Sequence, residues 1–153
     1  MATTFNLFDN WRKIAADPTR SAAVAGTLKV AIFKAITIGS TEQGAYDFYD
    51  DLTPASNEVT GTNYTARGNA CASPTWTGPS AGVLTFDASD PATWTQSLTG
   101  FSLARRAILY YDTATNSTST LVGFSDDFGA DLGNIAADFS VAFNAAGIYT
   151  SSR

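Results

Sequence analysis

The chain contains no histidine, which removes the commonest general base and the commonest metal ligand near neutral pH. Ser-His-Asp and Cys-His nucleophilic arrangements are thereby excluded. The single cysteine, Cys71, cannot form an intramolecular disulfide. Its neighbours Asn69, Ala70, Ala72 and Ser73 supply neither a basic partner nor a helix start to activate the thiol, so an inert thiol is expected. Charged residues are scarce, at 15% of the chain against a usual share of about 25%. The nine Lys and Arg are scattered, adjacent only at Arg12-Lys13 and Arg105-Arg106, and the net charge is -5. Without a basic stripe to neutralise phosphates, no nucleic-acid partner is expected. No apolar run approaches the roughly 18 residues of a membrane span, and the start lacks the basic and apolar blocks of a secretory signal. Neither membrane insertion nor secretion is expected. Gly-rich phosphate loops of the P-loop and dinucleotide types are also missing.

What the chain does have is enough length and apolar content for one β domain spanning residues 1–153. At this size folding buries roughly 70% of the unfolded surface, so no staple is required. The organising stretch runs from Leu103 to Phe124. Ala107 to Tyr111 are apolar at consecutive positions, which a strand tolerates only when both faces are covered. A connector rich in Thr, Ser and Asn follows, then Leu121-Val122-Gly123-Phe124, so the stretch predicts a β-hairpin at the centre of a sheet.

At the start, Leu7, Trp11 and Ile14 fall at i, i+4 and i+7, with Asn6 placed to cap and Pro18 closing the segment, which predicts a short helix within an arm over residues 1–17. The plainer reading of this helix is a cover over the end of a sheet; but Phe5 and Phe8 lie off that stripe and call for a second surface, so Phe5, Phe8 and Trp11 are candidate anchors on a neighbouring subunit. Leu28, Val30 and Ile32 alternate with Lys29, Ala31 and Phe33 as in a half-buried strand. From Gly39 to Gly61 the chain is acidic and irregular, with Tyr46, Phe48 and Tyr49 as candidate contact residues of a functional loop. Asn63 to Ala66 and Asn69 to Ala72 are weak strand candidates around a turn at Arg67-Gly68. Val83 to Phe86 is a clearer strand, and Trp94 and Leu98 lead back towards the sheet. Near the end, Ile135 is expected on the core, Phe139, Val141 and Phe143 alternate as one face of a strand, and Gly147 can kink the chain before Ile148-Tyr149. Short strands with turn signals and one early helix predict an all-β fold: an antiparallel β-sandwich or a partly closed, jelly-roll-like barrel.

Carboxylates cluster at Asp50-Asp51, at Asp87 with Asp90, and at Asp126-Asp127. They could hold Ca²⁺, but their spacing fits no known calcium loop, and solvated turns are the plainer reading. Trp11, Trp76 and Trp94 with six tyrosines could form a sugar-stacking platform, against ordinary packing in core or interface. The sequons at Asn63 and Asn116 read as polar loops. No cofactor or metal is expected.

Several segments together resemble small virion structural proteins of tailed bacteriophages: Asn6 to Trp11, Leu28 to Ala31, Asn57 to Ala66, Leu84 to Ala88, Arg106 to Tyr110, and Phe139 to Ile148. Their order and spacing span nearly the whole chain, and the material between Thr37 and Pro54 departs from the pattern. The resemblance implies a non-enzymatic part of a virion assembled in a bacterial cytoplasm. A capsid decoration or cement protein that stabilises the shell by contacts across several subunits comes first. The implied partners are other virion proteins, above all the major capsid protein, and further copies of the chain. A tail or neck component, or a carbohydrate-binding module, is the alternative.

Overall fold

The consecutive apolar residues Ala107 to Tyr111 lie in a strand with neighbours on both edges and side chains buried on both faces. A computed structural model describes residues 3–15, 24–80 and 83–152. In it β6 (Arg106–Asp112) pairs antiparallel with β2 (Thr27–Phe33) on one edge and with β7 (Thr120–Ser125) on the other. β1 (Phe5–Leu7) extends the sheet beyond β7, and β3 (Asn69–Ala70) extends it beyond β2. The order is β1-β7-β6-β2-β3, so the expected hairpin is the centre of a five-stranded sheet. A second antiparallel sheet has the order β4-β5-β8, from Thr75–Ser80, Val83–Asp87 and Tyr149–Ser152. Among the described residues the helices are short: α1 (Asp9–Ala15), α2 (Ser40–Ala45) and α3 (Pro54–Asn57), with 3-10 turns at Tyr49–Leu52 and Asn116–Thr118. The described residues are thus mostly β, in two antiparallel sheets.

Alternation along the central strands sends side chains into two separate apolar clusters. Ala107, Leu109 and Tyr111 join Leu28, Val30, Ile32 and Val122 on one face, where Phe86 of the second sheet and Trp94, Phe101, Phe139, Val141, Phe143 and Ile148 complete the cluster. Ile108 and Tyr110 join Ala31, Phe33, Leu121 and Phe124 on the other face, beneath Ile38, Tyr49 and Leu52. The irregular stretch after β2 therefore covers the second face of the main sheet. It also explains why β2 is buried on both faces from Ala31 to Phe33 rather than half-buried.

The N-terminal segment differs from the expected docking arm. Asn6 is not a helix cap: Phe5–Leu7 forms a strand against Gly123 to Ser125, and the helix begins at Asp9. Alternation across this edge strand carries Phe5 and Leu7 to the first cluster, and Phe8, just past it, packs on Phe124 in the second at a ring separation of 5.0 Å. Trp11 is fully buried between Trp76, Phe86 and Tyr111. The second surface that Phe8 requires is the other face of the chain's own sheet, which corrects the reading of Phe5, Phe8 and Trp11 as anchors on a neighbour. Of the expected arm, residues 1, 2, 16 and 17 lie outside the described residues, as does Pro18.

Three smaller expectations also change. Asn63 to Ala66 is a turn, because Asn63 and Arg67 adopt positive φ. Ile135 and Leu98 are exposed, at 39% and 85%. Phe139, Val141 and Phe143 do alternate inward, yet only Phe139 makes a strand-like pairing, a reciprocal backbone bond with Trp94 at 2.9 Å each way. The amide of Phe143 instead donates to the carboxylate of Asp90 at 2.6 Å.

Ile108→Ala and Leu109→Ala, one on each face, are expected to cost about 2–5 kcal/mol each, and Trp11→Ala about 3–5 kcal/mol. Urea unfolding monitored by circular dichroism measures all three. A midpoint for Trp11→Ala unchanged from wild type would return α1 to the surface.

Candidate functional site

The most polar interior region lies along the outer edge of β2, where the sheet runs out of full-length strands. Backbone groups there would be exposed and prone to pair with other chains. Here they are closed by the chain itself. The amide of Val59 donates to the carbonyl of Ile32 at 3.0 Å, and that of Cys71 to Leu28 at 2.8 Å. The amide of Ile32 donates to the phenol oxygen of Tyr64 at 3.0 Å, and this phenol donates to Glu58 Oε1 at 2.7 Å. The same carboxylate oxygen accepts the amide of Arg67 at 2.6 Å. Arg67 and Gly68 both adopt positive φ, at 75° and 69°, and any side chain at 68 would meet the carbonyl of Val30. Glycine is thus required for the turn to lie against β2, as its place after Arg67 led us to expect.

This turn aims Arg67 inward. Its Nε donates to Asp112 Oδ1 at 2.9 Å, its Nη1 to Asn116, and its Nη2 to Asp112 and to Ser119 Oγ, the last at 2.9 Å. Lys29 meets the other oxygen of Asp112 at 2.8 Å. The guanidinium lies over the ring of Tyr49, 5.1 Å from its centroid, and Tyr49 stacks on Tyr110 at 4.2 Å. The phenol of Tyr110 donates to the carbonyl of Arg67 at 2.7 Å. Tyr49, a candidate contact residue, is therefore fully buried in the chain, where it fills the second cluster. Tyr46 is half-buried beside that cluster, and only Phe48 stays exposed, at 37%.

The electrostatics follow from burial and partners. Burial opposes the charged form of Asp112, but Arg67, Lys29 and the amide of Ala114 outweigh it and hold the carboxyl well below the usual range. Burial pushes the Glu58 carboxyl up, partly offset by hydrogen bonding from Tyr64, the Arg67 amide and Tyr49 and by the charge of Arg67. Burial, reinforced by the charge of Glu58, raises the phenols of Tyr49 and Tyr64. The cluster is suited to holding structure. All three guanidinium nitrogens are engaged within the chain.

No family model, curated protein or solved structure matches this chain.

The other candidate chemistries disperse in the fold. Among the described residues no group of three or more metal-ligating side chains comes together. The acidic pairs bond to turns instead: Asp51 accepts the amides of Asp47 and Phe48, and Asp127 accepts the amide of Gly129 and pairs with Arg105. Trp11 and Trp94 are buried, Trp94 stacking on Tyr64 at 6.1 Å, which leaves Trp76 as the one partly exposed indole. Cys71 is buried and its thiol is pushed up to about 12 by that burial. Sequence reasoning singled out the Arg67-Gly68 turn but not the Glu58, Tyr64, Lys29 and Asp112 partners. The available signal was the isolated charge of Lys29 inside an apolar strand, which needs an opposite charge nearby once buried.

The Asp112 carboxyl has a folded value below its unfolded value of about 3.9. The stability it contributes is present in full above that value and is lost as the pH falls towards the folded value. Asp112→Asn is expected to cost about 3 kcal/mol near pH 7, because Arg67 and Lys29 lose their shared partner. Thermal unfolding between pH 7 and pH 2 should show a shallower acid decline in the variant than in wild type. Parallel declines would assign the acid sensitivity to other carboxylates.

Proposed function

We propose that the chain is a non-enzymatic structural protein of a tailed-phage virion, working by surface burial against neighbouring subunits, with a capsid decoration or cement role preferred over a tail or neck role. The segment resemblance from Asn6 to Ile148 motivates the virion assignment. A closed β-sandwich is the finer architecture that accompanies it, supported by the cluster to which both sheets contribute. The observation that carries a contact role is a set of three exposed apolar side chains on two linked loops. Leu98 and Leu103 are 85% and 48% exposed on the segment before β6, and Ile135 is 39% exposed on the segment after β7. Backbone and side-chain bonds tie these loops together: Ser97 donates to the carbonyl of Asn134 at 2.9 Å, and Gln96 to that of Ile135 at 2.7 Å. The buried Asn134 side chain accepts the amide of Phe101 at 2.7 Å.

Leu103 sits at φ 64°, a conformation in which a leucine is strained and a glycine is not. Strain combined with an exposed apolar side chain favours a role in contact over one in stability. Phe48 and Val83 are further exposed apolar positions, at 37% and 39%. Contacts of this size hold a shell when symmetry repeats them, since each engaged subunit raises the effective concentration of the next.

Quantitative mass analysis of purified particles tests the location: copies on the order of hundreds mark a shell component, and about a dozen or fewer a tail or neck component. The double variant Leu98→Ser, Leu103→Gly should keep its stability within about 0.5 kcal/mol of wild type, yet bind stripped particles more weakly. Full-strength binding by the variant would remove these loops from the contact surface.

A further inference from the structure

Three stretches of this chain carry no Asp, Glu, Lys or Arg: residues 59–66, 92–104 and 132–137. At the chain's own 15% of charged residues, that much sequence would hold about four charges. The fold ties the three stretches into one cluster. The amide of Thr62 donates to the carbonyl of Thr99 at 2.9 Å, and their hydroxyls meet at 2.8 Å. Asn63 Nδ2 donates to Thr95 Oγ1 at 3.0 Å, and Nδ2 of the buried Asn134 donates to the carbonyl of Thr95 at 2.8 Å. Tyr64 meets Phe101 edge-on at 5.4 Å, and Gly61 lies so close to the backbone of Gly100 that a Cβ there has no room. Leu98, Leu103 and Ile135 are exposed on this cluster. Charges that border it already have partners in the chain: Arg67 has Asp112, Arg105 has Asp127 and Asp131, and Asp90 and Asp138 accept the amides of Phe143 and Gln96.

We infer that two copies of this chain associate about a two-fold axis through these loops, with Leu98 at the centre of the contact and Leu103 and Ile135 beside it. The inference rests on the contact role proposed above for the same loops, and not on the virion assignment. In a two-fold contact each patch meets itself, so any net charge on it faces its own sign. Two copies of a chain with net charge -5 repel each other, and the repulsion is least where the approaching surfaces carry no charge. A different protein is selected by complementary charge, which this cluster does not offer. The bonds between the loops add a second advantage. They order the cluster before association, so little freedom is lost on docking. With three apolar anchors the contact is a weak one, with a Kd in roughly the 10 to 500 μM range.

Sedimentation equilibrium of the full chain from about 5 μM to about 1 mM tests this. Monomer and dimer in a concentration-dependent balance are expected. Raising NaCl from about 50 to about 500 mM should leave the dimer unchanged or strengthen it, because salt screens the repulsion and finds no ion pair to break. Leu98→Glu and Leu98→Lys should each weaken association about tenfold or more by setting like charges together, while an equimolar mixture of the two should recover it. Both variants should melt with wild type, since Leu98 is 85% exposed. Phe48→Ser, outside the cluster, should leave the dimer intact. A monomer throughout the range, a dimer that Leu98→Glu leaves unchanged, a dimer that salt dissolves, or a mixture that stays monomeric overturns the inference. Binding to stripped particles separates this outcome from the fate of the earlier reading. A monomeric wild type that binds particles and loses binding in the Leu98→Ser, Leu103→Gly variant gives the loops to a different protein: the contact role stands and the self-contact falls. A dimer that binds no particles keeps the self-contact and removes the virion reading.

Discussion

A strand whose side chains are apolar on both faces has to be covered twice, and most of this fold follows from meeting that requirement for β6. One cover combines Phe86 of the second sheet with α1 and the late segment around Phe139 to Ile148. The other comes from the stretch between β2 and β3, through Ile38, Tyr49 and Leu52. Neither cover is a continuous sheet or a long helix. Their stability rests on large aromatic side chains, each of which buries a large area from a single anchoring point. The stack of Trp11 on Trp76 at 6.1 Å joins α1 to the second sheet in this way.

Irregular covers leave backbone groups that no ladder satisfies, and the Glu58, Tyr64 and Arg67 cluster answers that difficulty at the β2 edge. Side-chain oxygens stand in for a missing strand: the Tyr64 phenol takes the amide of Ile32, and Glu58 fastens both that phenol and the turn at Arg67. Asp112 then ties the turn to the end of β6 through Arg67, and to β2 through Lys29. Four charged side chains, Lys29, Glu58, Arg67 and Asp112, thus gather where the sheet has least regular structure.

The parts of this architecture that were legible in the sequence are those with a simple period. Ala107 to Tyr111 announced a doubly covered strand because their apolar run is unbroken, and Leu28 to Phe33 announced β2 by alternation. The register of helix and strand at the N-terminus was not legible. A three-residue strand such as Phe5–Leu7 is too short to display a period, and Leu7, Trp11 and Ile14 fit a helical stripe equally well. Reading one surface for that stripe led Phe8 to a neighbour, when a sheet offers two faces to whatever crosses its edge. Tyr49 was misplaced for a related reason, since a covering loop has no repeat to show which aromatic points inward. The ion cluster was hidden by distance along the chain: Arg67 and Asp112 are 45 positions apart.

The pairing of β1 with β7 has a consequence for the order of folding. Asn6 and Asp126, joined at 2.8 Å across this edge, are separated by 120 positions. During synthesis the first strand emerges early and waits for nearly the whole chain before its partner exists. Closing so long a loop precedes any reward from the contacts it permits, which places the completion of the main sheet late and makes it slow. Until then Phe5, Leu7 and Phe8 lack the β7 residues against which they pair and pack. The interval before β7 appears is the period in which this chain is most open to association with its own copies.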